Sequence, residues 1–134
     1  MKRSIRIFIF AVCLIVILGI VLATGVLGRK PFKDLDPAQV QSAQVRLGPP
    51  DQTVQITEIK ELTDYLNQVV IYRKDDSYTQ YAGQSCTFTI TKTDGTVLEV
   101  TAFNPFIIID GVGYRCKYDP CEALNRYANR LLER

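Results

Sequence analysis

The sequence predicts an α+β protein in which an N-terminal transmembrane helix is followed by a two-layer domain: ββα, then an antiparallel β-meander, then a C-terminal helix. Three observations carry that prediction. Residues 7–28 contain no charged side chain; from Ala43 to Cys116 short runs alternate apolar and polar residues between Gly, Pro and Asp; and the stretches 58–70 and 119–131 space their apolar residues three and four apart. A chain of 134 residues has room for one domain of about a hundred residues and one separate element. The expected organisation is a cytoplasmic tail at 1–6, a transmembrane signal anchor at 7–28, a juxtamembrane linker at 29–38 and an extracytoplasmic domain at 39–134.

The run IFIFAVCLIVILGIVLATGVLG (7–28) carries one hydroxyl, Thr24. At about 1.5 Å per residue a helix of that length crosses a hydrocarbon core of roughly 30 Å, so membrane lipid is its expected partner. A cleaved secretory signal is the competing reading; it requires an apolar region of only about 7–15 residues and a cleavage site, for which Ala23-Thr24-Gly25 and Val26-Leu27-Gly28 are the candidates. Length favours the uncleaved anchor, and either reading takes the domain across the membrane. Lys2, Arg3, Arg6 and the amino terminus oppose Arg29, Lys30 and Lys33, a margin of about one charge for a cytoplasmic N-terminus. The expected location is therefore the cell membrane, single-pass, with the C-terminal domain extracytoplasmic. Cys13, inside the run, reads as a small apolar residue.

Charge divides along the same line. The chain holds 16 Lys+Arg and 14 Asp+Glu, but six of the basic residues lie at or before Lys33 with no acid among them; ten basic against fourteen acidic residues remain, and the domain is about −4. Such a domain, with scattered basic residues, is a poor match for nucleic acid. The Arg29-Lys30-x-x-Lys33 cluster suits lipid head groups.

Within the domain, Ala43, Val45 and Leu47 alternate with polar residues, Gly48-Pro49-Pro50-Asp51 turns, and Val54 and Ile56 return, giving a first hairpin. Thr57 is the expected cap of a helix from Glu58 to Val70 whose apolar face is Ile59, Leu62, Leu66 and Val69. Residues 69–72 read as a short strand and 73–85 as a polar loop. Cys86, Phe88 and Ile90 then alternate with threonines, as do Leu98, Val100 and Ala102 with Glu99 and Thr101. A two-residue Asp94-Gly95 turn would set Ile90 opposite Glu99; a three-residue Thr93-Asp94-Gly95 loop with Gly95 left-handed pairs Ile90 with Leu98, Phe88 with Val100 and Cys86 with Ala102. Asp110-Gly111 fits a type I′ turn that pairs Ile109 with Val112 and Ile107 with Tyr114. Asp119-Pro120-Cys121-Glu122 reads as a capping box opening the last helix, whose inward face is Leu124, Tyr127, Ala128 and Leu131.

The sequence contains no His, which removes the His-assisted nucleophile and the imidazole ligand. It holds no phosphate loop, GxGxxG, CxxC or EF-hand pattern. The clustered acids, Glu58/Glu61 and Asp75/Asp76, read as solvated charges, so neither a catalytic residue, a metal site nor a cofactor is assigned and a non-enzymatic role is expected. Cys86 lies on the apolar face of its strand, Cys116 ends the last strand, and Cys121 lies on the inward face of the last helix. An extracytoplasmic setting makes Cys116–Cys121 the first disulfide candidate, Cys86–Cys121 the alternative, and three reduced core thiols the remaining reading. For ligand or partner binding, the loop presents Tyr78 and Tyr81 beside Asp75 and Asp76, aromatic faces among short polar groups, which suits an unknown protein, peptide or glycan; the bland reading is a connection whose tyrosines cover the sheet. The face Thr87, Thr89, Thr91, Thr101 and Glu99 is a second surface, or a plain solvent face of β-branched residues.

The anchor, the helix Ile59-x-x-Leu62-x-x-x-Leu66, the hairpin Thr89-Ile90-Thr91-Lys92-Thr93-Asp94-Gly95 and the run Ile107-Ile108-Ile109-Asp110-Gly111-x-x-Tyr114 together resemble small uncharacterised domains of Gram-positive membrane-anchored proteins. The resemblance spans most of residues 36–134 and implies the fold and a surface location, without an activity or site residues. Two functions are consistent with these observations: a membrane-anchored extracytoplasmic binding module, or an accessory or regulatory subunit of a larger membrane transporter or sensor complex.

Overall fold

The computed structural model describes residues 1–134, apart from the side chain of Thr24. The apolar run is helix α1 (Lys2–Thr24), long and apolar enough over Lys2–Ala23 to cross a membrane. It begins at Lys2 rather than at residue 7, because Lys and Arg are good helix formers and nothing in the tail breaks the helix. It ends at Gly25, which is left-handed at φ 66° and donates its N–H to Leu22.

The domain follows as β1 (Val40–Gly48), β2 (Gln52–Ile56), α2 (Ile59–Asn67), β3 (Ile71–Lys74), β4 (Ser85–Lys92), β5 (Val97–Phe103), β6 (Phe106–Ile109), β7 (Val112–Cys116) and α3 (Tyr118–Glu133). Its seven strands form one antiparallel sheet in the order β2-β1-β4-β5-β6-β7-β3, with both helices on one face. The α+β architecture is the one the sequence predicts. β3 is placed where pattern alone does not put it: the connection through α2 carries the chain from the β2 edge to the opposite edge, where β3 pairs with β7.

Burial explains the register. Ile90 faces Leu98, Phe88 faces Val100 and Cys86 faces Ala102, across a three-residue loop in which Gly95 has φ 86° and Asp94 accepts from the N–H and hydroxyl of Thr96. In the next hairpin Ile109 faces Val112, and Asp110 and Gly111 both have positive φ, the type I′ turn that matches strand twist. The helix ends differ from expectation. Thr57 does not cap: α2 starts at Ile59 behind Glu58, ends at Asn67, and leaves Gln68 to Val70 as a connection. Asp119 lies inside the first turn of α3 behind Lys117, so the expected capping box is not formed. The inward faces carry these short helices, because Leu62, Leu66, Leu124, Tyr127 and Ala128 are buried against the sheet.

Phe88 is the centre of that layer: fully buried, its ring lies 6.2 Å from Tyr127 and parallel to it, and Tyr127 stacks on Tyr65 at 4.6 Å. Burial, and then the charge of Glu61, push the Tyr127 phenol up to about 12. The segment 29–38, expected as a linker, packs into the domain. Phe32 is buried, Leu35 lies against the core, and the Asn67 amide donates to the carbonyls of both. Phe88→Ala is expected to lower the unfolding free energy by about 3–5 kcal/mol, measured by chemical denaturation of the full chain in micelles followed by circular dichroism.

Candidate functional site

Beyond β3 the next two residues fold the chain back over β7. The Asp75 N–H donates to the Gly113 carbonyl at 2.8 Å, and the Gly113 N–H donates to Asp76 Oδ1 at 2.8 Å. Asp75 Oδ1 accepts from the Ser77 N–H at 2.9 Å and Oδ2 from Arg115 Nε at 2.9 Å. Together the Ser77 hydrogen bonds and then Arg115 hold the Asp75 carboxyl down at about 2. Gly113 has to be glycine here, since a Cβ would stand 2.5 Å from the Asp75 carbonyl oxygen. With the chain pinned in this way, the 3-10 turn Ser77–Gln80 lays Tyr78 and Tyr81 against the Phe106 ring at 6.3 and 5.8 Å, and Arg115 stands 4.8 Å over the same ring. Phe106 and Ile108 are buried on the sheet face away from the helices, so the loop covers a second, small apolar patch.

The loop edge and the sheet enclose a groove of about 520 Å³. Tyr78, Tyr81 and Gly83 form one wall; Glu99, Thr101, Phe103 and Ile108 form the floor. Thr101 is fixed by a 2.9 Å hydrogen bond between its hydroxyl and that of Thr87 on β4. A second depression of about 360 Å³ shares Tyr81, Gly83 and Phe103 and runs on to Asn104, Tyr118 and Glu122. Tyr81 and Tyr118 are 60% and 61% exposed, large for rings beside a continuous groove.

Of the four binding residues expected from sequence, the structure brings Tyr78 and Tyr81 together on the groove wall. It places Asp75 and Asp76 outside the lining, where they hold the loop against Gly113 and Arg115. Sequence reasoning missed Phe103 and Ile108. Their signal was the alternation itself: Phe103 continues the face of Glu99 and Thr101, and Ile108 pairs across the sheet with Thr101.

Cys116 and Cys121 are neighbours but are free thiols, and the expected staple is not formed in this structure. Cys121 Sγ points to the Phe106 carbonyl at 3.7 Å and Cys116 Sγ to Asn104 Oδ1 at 3.8 Å. Contact with the Cys116 side chain, and burial, raise the Cys121 thiol far above its usual value. The alternative with Cys86 is not formed either, since Cys86 Sγ donates to Asn125 Oδ1 at 2.8 Å, and burial, then the charge of Glu122, push that thiol up to about 11. Cys86 and Cys121 are thus poor nucleophiles near neutral pH.

Compared with protein-family models, with curated proteins and with solved structures, the chain finds no match.

Because the Asp75 carboxyl is depressed on folding, its contribution is present above its unfolded value of about 4 and is lost as pH falls towards about 2. The hydrogen-exchange protection of residues 77–84, taken relative to the intrinsic rate at each pH, is expected to fall over that acid window. Asp75→Asn is expected to exchange faster at neutral pH and to lack the acid step.

Proposed function

We propose that this chain is a single-pass membrane protein whose C-terminal domain stands on the extracytoplasmic side and binds a peptide or glycan partner in the groove beside the 77–84 loop, without catalysing a reaction. The observation that carries this reading is the groove itself: the exposed Tyr81 ring and Phe103 stand beside Thr101 and Glu99, apolar faces with a few convergent polar groups. Backbone hydrogen bonds to Gly113 hold the loop that forms its wall, so little ordering accompanies binding. Support for the membrane comes from α1, support for the side from its flanking basic residues and from the resemblance to Gram-positive anchored domains. The non-catalytic reading rests on the missing His and the missing catalytic motifs of the sequence.

Peptide and glycan arrays probed with the full chain in nanodiscs test the groove. Tyr81→Ala is expected to weaken the best ligand by about tenfold or more while leaving thermal unfolding unchanged, the behaviour of an aromatic anchor. Binding that Tyr81→Ala leaves intact, or that Gln55→Ala on β2 weakens equally, overturns the groove as the site.

Side is tested separately with Thr79→Cys, an exposed position in a domain whose own cysteines are buried. A membrane-impermeant maleimide is expected to label it in intact cells. Labelling only after lysis reverses the topology.

A further inference from the structure

The end of α1 meets the edge of the sheet in a cleft of about 350 Å³ that has one apolar side and one cationic side. Val21, Leu22 and Leu27 supply the first; Arg29, Arg73 and Lys74 supply the second. Sequence brings only Arg29 to this place, since Arg73 and Lys74 lie more than forty positions further along the chain. The fold brings them because Arg29 and Ile71 exchange backbone hydrogen bonds at 2.8 and 2.9 Å, which adds residue 29 to the free edge of β3.

Two left-handed glycines make the approach tight. A Cβ on Gly25 would lie 3.0 Å from the Arg73 nitrogen, and one on Gly28 would lie 2.8 Å from the Tyr72 ring. The exit of the helix is thus seated on Tyr72 and Arg73, and the cations hold a fixed position beside the last turn. The Arg29 guanidinium lies 5.6 Å from the centre of the Tyr114 ring. Neither Arg29 nor Arg73 has a carboxylate partner among the described residues; Lys74 reaches Asp76 at 4.0 Å with both side chains exposed, a weak pairing.

We infer that this cleft binds the anionic headgroup of a phospholipid, with the acyl chains lying along the last turn of α1. The inference rests on the reading that α1 spans the membrane. Given that reading, the cleft lies at the depth where acyl chain gives way to phosphate, and its two sides have the matching order, apolar towards the helix and cationic towards the domain. Charge complementarity decides between headgroups: each cation near the membrane surface favours an anionic lipid over a zwitterionic one by about fivefold.

The chain contains no Trp, so Leu27→Trp, at an exposed position of the cleft, provides a single fluorescent reporter. The full chain carrying it is reconstituted into mixed phosphatidylglycerol and phosphatidylcholine vesicles in which one lipid or the other has brominated acyl chains, which quench Trp on contact. Quenching is expected to report at least about fivefold enrichment of phosphatidylglycerol around the reporter. The exposed pair Arg29→Gln/Arg73→Gln is expected to bring the two lipids to near parity, whereas Arg29→Lys/Arg73→Lys retains the preference. Equal quenching by both lipids in the unsubstituted background overturns the headgroup site and leaves the cations to an acidic protein partner. Absence of quenching by either lipid overturns the membrane span itself, and the site with it. Enrichment that survives the Gln pair unchanged also overturns the assignment, because it places the preference elsewhere on the chain.

Discussion

β3 lies between the exit of α1 and the last strand of the meander, β7. On its outer side Ile71 exchanges hydrogen bonds with Arg29, at the exit of α1; on its inner side it pairs with β7, opposite Cys116 and Tyr114. The residues that follow it turn back onto Gly113 of the same neighbour. One short strand therefore fixes the angle at which the helix leaves the domain and the position of the loop that walls the groove. Four residues suffice because both neighbours are themselves anchored, Arg29 by Phe32 in the core and β7 by its hairpin with β6. Loss of that pairing would free α1 and the groove wall together, while most of the sheet kept its partners.

The two faces of the sheet are held by different forces. On the helix side, aliphatic and aromatic side chains of the sheet meet those of α2 and α3, and area removed from water dominates. On the other side the half-buried threonines leave the sheet largely open, and the loop covers Phe106, Ile108 and Gly113. That covering depends on hydrogen bonds to charge, Asp75 to Arg115 and Asp76 to the Gly113 N–H, rather than on burial.

Local pattern made most of the fold legible. Alternation located the strands, and the requirement that Ile90 face an apolar partner selected the three-residue loop over the two-residue one, because a shift of one residue would have exposed Phe88 and Ile90. The helix ends were less legible. Thr57 and Asp119 have the right chemistry for caps, but the helices start at Ile59 and Tyr118 without a side-chain cap, and burial of Leu62 and Cys121 holds their first turns instead. The edge position of β3 was invisible, since no local signal records which of two free edges a strand joins. The groove was half legible for the same reason: Tyr78 and Tyr81 stood out as aromatic residues in a polar loop, while Phe103 and Ile108 come from strands that a long-range pairing brings beneath it.

Residues 73–76 read Arg-Lys-Asp-Asp, and in the folded chain this reversal of charge is also a division of space. Arg73 and Lys74 face the helix exit, where the surrounding lining is basic or apolar; Asp75 and Asp76 face β7, where Gly113 and Arg115 receive them. Had the order been inverted, a cation would meet the Arg115 guanidinium and the Gly113 N–H would lose its carboxylate acceptor, so the fold of the loop would not survive. Strand geometry adds a second constraint, because Lys74 pairs opposite Tyr114 and its successor bonds to Gly113, leaving no free residue between the helix exit and the loop. The exit of α1 and the loop that walls the groove are therefore joined by a continuous, hydrogen-bonded stretch of backbone.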